Sequence, residues 1–162
     1  KVWVSDITYL RSRAGWLFLV VFLDLFSRRV VGWCVNTSLG HETVLTALSR
    51  AVWQRRPDPG LMIHSDRGVQ YCCDGFREAI DTHQFVQSMS RKANCWDNAV
   101  AESFFRSLKT EWLYHVDLID LDHAKRELFA YIEMFYNNQR LHAYLDYVSP
   151  ATFERLKPKK VA

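Results

Sequence analysis

The 162-residue chain predicts an α/β domain, a mixed five-stranded sheet flanked by helices. Three observations predict it. The first third holds three strand-like runs separated only by tight turns. From residue 41 the hydrophobic period changes to that of helices, and helical stretches alternate with short strand-like runs. From about residue 98 two helices follow, before a final stretch without helical spacing. With 49% hydrophobic and 24% charged residues, the composition suits one globular domain large enough to bury a core. The chain divides into one main domain over residues 1–150 and a basic tail over 151–162.

Residues 2–10, VWVSDITYL, alternate with period two and put Val2, Val4, Asp6 and Thr8 on one face. Arg11 to Gly15 supplies a turn. The run WLFLVVFLD (16–24) is continuously apolar, as a strand covered on both faces requires. A second turn runs from Asp24 to Ser27, where Asp24 suits turn capping. RRVVGWCV follows as the third strand, and such short turns imply an antiparallel meander. His41 to Gln54 predicts a helix on the spacing of Val44, Leu45, Leu48, Ala51 and Val52, and Pro57, Pro59 and Gly60 end it. Leu61 to His64 is a short strand reached through a helical crossover, hence parallel to the first. A helix near Gly75 to His83, a strand near Phe85 to Ser88 and a polar loop, SRKANCWD (90–97), come next. Two helices, about 98–114 and about 121–137, close the domain. The second carries Leu121, Ala124, Leu128, Tyr131, Ile132 and Phe135 on one side. The remainder, with Pro150 and Pro158, reads as extended and partly mobile. This order of elements is that of a ribonuclease-H-like domain.

Composition excludes several classes. No apolar run reaches the roughly 18 residues that a membrane-spanning helix needs. No charged start, apolar centre and cleavage site marks a signal peptide. Lys1 stands inside the first strand pattern without a starting methionine, which reads as a catalytic portion of a longer polypeptide. Cys34, Cys72, Cys73 and Cys95 show no CxxC spacing and, with six histidines, form no zinc pattern. Cys34 suits strand packing, adjacent Cys72 and Cys73 are poor common ligands, and a reducing cytoplasm is the natural setting. The net charge of +3 is mildly basic. The pairs Arg28-Arg29, Arg55-Arg56 and Arg91-Lys92, and the tail Lys157, Lys159 and Lys160, would draw phosphates or simply solvate a surface.

Three acids organise the chemistry. Asp6 interrupts an apolar, aromatic strand, and burying a lone charge is costly unless it is paired or metal-bound. Asp66 follows the strand LMIH, where ligands gather beyond the carboxyl ends of parallel strands. Glu102 lies early in the helical run NAVAESFFRSLKTEW. Three carboxylates converging from separate elements can hold two hard divalent cations, which prefer oxygen ligands. The structural alternatives are a salt bridge from Asp6 to an arginine and an i,i+4 pair between Glu102 and Arg106. Glu102, Arg106 and Lys109 share one helix face, beside an apolar stripe of Ala101, Phe104, Leu108 and Trp112. Arg67 and Gly68 allow a tight turn and a phosphate contact after Asp66. In the 90–98 segment, Arg91, Lys92, Trp96 and Asn98 suit contacts to the bases, sugars and phosphates of a nucleic acid. Trp96 equally suits packing the loop, and Asp97 or Asn98 suits a helix N-cap.

With these residues in place, the chain resembles the catalytic core of bacterial insertion-sequence transposases of the retroviral-integrase-like type. The matching motifs are VWVSDITYL, LDLFSRRVVGW, HSDRGVQY, SMSRKANCWDNAVAESFF and YNNQRLHAYLDYVSP, and they span nearly the whole chain. Ala143 and Asp146 depart from the family pattern, where serine and glycine are usual. The resemblance implies that Asp6, Asp66 and Glu102 form the acidic triad and coordinate two magnesium or manganese ions. It implies that Lys109 contacts DNA near the cut, and that one site hydrolyses the element end and transfers its 3′-hydroxyl into target DNA. It further implies DNA as partner, a homo-oligomer on DNA, no organic cofactor and no membrane. The implied setting is the bacterial cytoplasm, at the nucleoid when active, with end recognition in an amino-terminal domain. The rivals are a nuclease that cuts without joining and a catalytically silent DNA-binding or assembly module.

Overall fold

A computed structural model describes residues 1–89 and 99–157. Arg91, Lys92, Cys95, Trp96, Asp97 and Asn98, and the tail beyond Lys157, lie outside the described residues.

The meander forms as the alternation predicts. β1 (Val2–Ser12), β2 (Gly15–Asp24) and β3 (Val30–Asn36) pair antiparallel, in register from Trp3 opposite Asp24 to Ser12 opposite Gly15. Gly15 takes φ +133°, a conformation that the hairpin needs and side chains resist. β4 (Met62–Ser65) lies parallel to β1, and β5 (Val86–Met89) parallel to β4, giving the order β3-β2-β1-β4-β5. β4 accompanies β1 only from Val2 to Ser5. From Asp6 onward, β1 has β2 alone as its strand neighbour among the described residues.

Helices cover both faces. α1 (His41–Arg55) and α2 (Asp74–Thr82) pack with Trp3, Val20, Phe22, Val31 and Ile63. α3 (Ala99–Glu111) and α4 (Leu121–Phe129) pack with Val4, Leu19, Val21 and Leu23. Successive β2 residues therefore point into different cores, which is why that strand is apolar without interruption. Gly32 permits the close approach of α1, because a Cβ there would stand 2.5 Å from the Ala47 carbonyl oxygen.

Two features differ from the sequence expectation. The helix begun by α4 widens over Ala130–Tyr136, where the Asn137 amide reaches back to the Ile132 carbonyl at 3.0 Å. The widening turns Asn137 inward, and its side chain exchanges two 3.0 Å hydrogen bonds with the backbone of Val30. The second difference is a correction: the stretch expected to be extended forms α5 (Pro150–Leu156). Ser149 caps it and Pro150 opens it, a local start signal. Its hold on the core comes from Phe153 and from Glu154, which accepts from Arg55, Arg29 and Ser27. Those partners lie far away in the chain, so the tail itself carried no sign of them.

Candidate active site

The β1–β4 ladder ends at Ser5 opposite Ser65, and Asp6 and Asp66 are the next residues on each strand. Neighbouring strands run about 4.8 Å apart, so two carboxylates leave adjacent backbones at one end of the sheet. Asp6 is half-buried and Asp66 is exposed. The Asp66 Oδ1 atom accepts from the Gly68 amide at 2.9 Å, and Asp6 Oδ1 accepts from the Ile7 amide at 2.8 Å. Gly68 matters for its lack of a side chain, since a Cβ there would lie 3.0 Å from Asp66 Oδ1.

Beneath the pair lies a buried phenol. Ser5 Oγ donates to the Val21 carbonyl at 3.0 Å, so its one proton is committed and the Tyr71 hydroxyl donates to Ser5 at 2.8 Å. Burial pushes the Tyr71 phenol far above its ordinary value, and the charges of both Asp6 and Asp66 push it further. One buried group thus lies within the field of both carboxylates. Tyr71 belongs to the HSDRGVQY motif, yet its role beneath the acids had no sequence signal of its own.

α3 brings the third acid to the same side. Ala101, Phe104, Phe105 and Leu108 turn inward onto the cluster that contains Val4 and Leu10 of β1. By strand alternation Asp6 shares that face. Glu102 and Arg106 stay exposed, and Lys109 is half-buried. Among the described residues no ion pair joins Glu102 to Arg106. Nor does any group of three Asp, Glu, His or Cys side chains there close to metal-holding distance. Like charges repel, and only a cation would draw three carboxylates tightly together. The donor set is nevertheless all oxygen, which suits magnesium or manganese and not softer metals.

The other candidates separate on inspection. Arg67 is exposed beside Asp66. Arg29 and Arg55 grasp Glu154, whereas Arg28 lies over the Tyr144 ring at 4.0 Å. Asp24 caps its turn by accepting from Phe26 and Ser27, as its position predicts. Cys34 is buried in β3, and Cys72 and Cys73 are free thiols. Asp146 adopts the left-handed conformation, φ 58°, at the position where glycine is usual. No described helix is long and apolar enough to cross a membrane.

Known proteins match this arrangement. A family model described as "Integrase core domain" matches residues 1–95, and a second of the same description matches residues 102–157. The transposase for insertion sequence element IS904 of Lactococcus lactis is 39% identical over 155 residues, 96% of this chain and 61% of that protein. Transposase InsF for insertion sequence IS3A of Escherichia coli is 40% identical over 152 residues, 94% of this chain and 53% of that protein. The chain thus spans between about half and three-fifths of the length of these relatives. Among solved structures, the HTLV-2 integrase catalytic core domain in complex with magnesium superposes with TM-score 0.71 at 15% identity, covering 94% of each chain. The BIV integrase catalytic core domain gives TM-score 0.70 at 14% identity, covering 98% of this chain and 97% of that one. At such identities these likenesses show the fold, which is ribonuclease-H-like as the element order predicts. With the five-stranded mixed sheet, the matched motifs and both family models in agreement, the chain belongs to the integrase core domain family.

Proposed function

We propose that this chain is the catalytic core of a DNA transposase, which cuts the phosphodiester at the element's end and joins the freed 3′-hydroxyl to target DNA. The observation that carries the proposal is the register ending at Ser5 and Ser65, which sets Asp6 beside Asp66. In support, Val4, on the strand face that Asp6 shares by alternation, packs in one core cluster with Ala101, Phe104 and Leu108 of the helix that carries Glu102. Asp6, Asp66 and Glu102 would hold magnesium or manganese, as two ions. A divalent ion bound there would supply Lewis-acid chemistry to phosphodiester hydrolysis and to strand transfer.

The chain's own residues do the positioning. The Gly68 amide orients Asp66, and the Tyr71–Ser5 hydrogen bond ties the last paired residue of β1, next to Asp6, to the buried phenol. Lys109 and Arg106, on the Glu102 ridge, and Arg67 beside Asp66 would hold backbone phosphates, with Arg91, Lys92, Trp96 and Asn98 adding contacts. Pairing two ends calls for more than one subunit on the DNA. The residues include no compelling serine or tyrosine nucleophile motif, in keeping with direct transfer between phosphodiesters.

The test is cleavage and joining of labelled DNA carrying the element's end, with Mg²⁺ or Mn²⁺, for the wild type beside Asp66→Asn. Metal-dependent products of both kinds from the wild type alone support the reading. Cut ends without joined products would make the chain a nuclease. Equal activity in both proteins sinks the site.

A further inference from the structure

A second feature lies along the edge of β1 that β4 leaves uncovered. Beyond Ser5, β1 runs seven more residues to the hairpin, and its exposed side chains there are aromatic and basic. Tyr9, Arg11, Trp16 and Tyr114 line a cleft of about 250 Å³, and Lys109 forms its wall toward α3. Trp16 is 54% exposed, Tyr114 74% and Tyr9 55%. The Arg11 guanidinium stands 5.2 Å from the Trp16 ring centroid, and no acid lines the cleft. Through Lys109 the cleft is continuous with the ridge that carries Glu102 and Arg106.

Three large rings left in water beside two cations match one ligand chemistry. A nucleobase offers a flat face that stacks on aromatic rings whatever its sequence, and the phosphate linked to it needs cations. A base inside a duplex has both faces covered by its neighbours, so the ligand that matches the cleft is an unpaired nucleotide. We propose that the Tyr9–Arg11–Trp16–Tyr114 cleft binds an unpaired nucleotide of the DNA strand that leaves the acidic site. Trp16 and Tyr114 stack its base, and Arg11 and Lys109 hold its phosphate. The inference rests on the DNA reading given above and adds the form of DNA that the chain prefers.

The experiment measures binding by fluorescence anisotropy, without divalent ion so that nothing is cut. The probes are a blunt duplex and the same duplex carrying a short unpaired tail, for the wild type, Trp16→Ala, Trp16→Phe, Tyr114→Ala and Arg11→Gln. Both rings are exposed, so the alanine variants should melt with the wild type. Wild type is expected to favour the tailed probe. Trp16→Ala and Tyr114→Ala should each weaken that probe roughly tenfold while leaving the blunt duplex unchanged, and Trp16→Phe should restore most of the loss. Arg11→Gln should lower the salt dependence of tailed binding by about 0.7 in log–log slope, one phosphate contact to a single strand. Equal affinity of wild type for the two probes overturns the cleft and leaves the DNA reading standing. Binding to neither probe overturns both. Tail preference that survives Trp16→Ala, with a loss of self-association in sedimentation, overturns the nucleotide and assigns the cleft to a second copy of the chain.

Discussion

Glu154 is 9% exposed and grasped by Arg55 and Arg29, whereas Asp66 is exposed and rests on a backbone amide. Asp6 stands beside Asp66 on the neighbouring strand, so two negative charges meet at that end of the sheet. At Glu154 the negative charge is already answered by the guanidinium groups of Arg29 and Arg55. That centre ties the last helix, the end of α1 and the β2–β3 turn into one body. The contrast sets an acid bound into the fold by arginines against the exposed acid to which the proposal above gives a metal, although the two look alike in the sequence.

The comparison can be broken most directly at Asp66. Asp66→Asn is expected to lower cleavage and joining by roughly 10²-fold or more, as removal of one preorganised electrostatic group does. Its melting temperature should match or exceed the wild type's, because one of two neighbouring charges is gone. A variant that unfolds instead would make Asp66 a structural acid like Glu154.

The converse change is Glu154→Gln. It takes the carboxylate from Arg29 and leaves Arg55 with Asp24, at 4.0 Å, and should cost about 3 kcal/mol in denaturant unfolding, with activity per folded molecule intact. Acid provides a second view of the same centre. Burial works against the Glu154 charge, but Arg55, Ser27 and Arg29 together hold its carboxyl below its ordinary value. Its folded pKa is depressed, so its stabilisation is complete above the ordinary value near 4.5 and fades as pH falls through the folded one.

His142 acts earlier in the same titration. Burial, aided by Arg140, lowers its imidazole from 6.5 to about 4. The unfolded chain therefore binds more protons between those values, and stability drops as pH falls through that window. Unfolding free energy measured against pH should show both stages, and His142→Gln should flatten only the upper one.

Smaller changes sharpen the contrast. Gly68→Ala would crowd Asp66 Oδ1 at 3.0 Å while meeting the Tyr71 ring at an ordinary contact distance of 3.6 Å, and should lower activity roughly tenfold with a nearly unchanged melting temperature. Tyr71→Phe removes the hydroxyl beneath the acids and should cost about 1 kcal/mol of stability. A larger loss of activity than of stability in that variant would give the buried phenol a part in placing the carboxylates.

The alternating and continuous apolar runs were enough to read the meander, the crossover helix and both closing helices. Their buried faces, such as Ala101, Phe104 and Leu108, follow the helical period directly. Asp6 and Asp66 were legible as candidates because one interrupts and the other follows a strand, whereas Glu102, on an exposed helix position, was singled out by its spacing to Arg106 and Lys109 and by the family resemblance. The α5 helix was not, since seven residues ending in a basic tail carry too few apolar positions to declare a face. Nor was the widening at Ala130–Tyr136, which serves the pairing of Asn137 with Val30 in another part of the chain.

Periodicity, turn residues and misplaced charges are local properties, so the sequence by itself determined the fold class, the element order and which acids to suspect. Adjacency is not local. Only the tertiary structure decided that Asp6 and Asp66 follow the last paired residues of neighbouring strands. It also set Tyr71 beneath them, gave Arg29 and Arg55 to Glu154, and left Tyr9, Trp16 and Tyr114 beside Lys109. Each of these depends on strand register and helix packing, where contacts between distant residues outweigh what any single segment prefers.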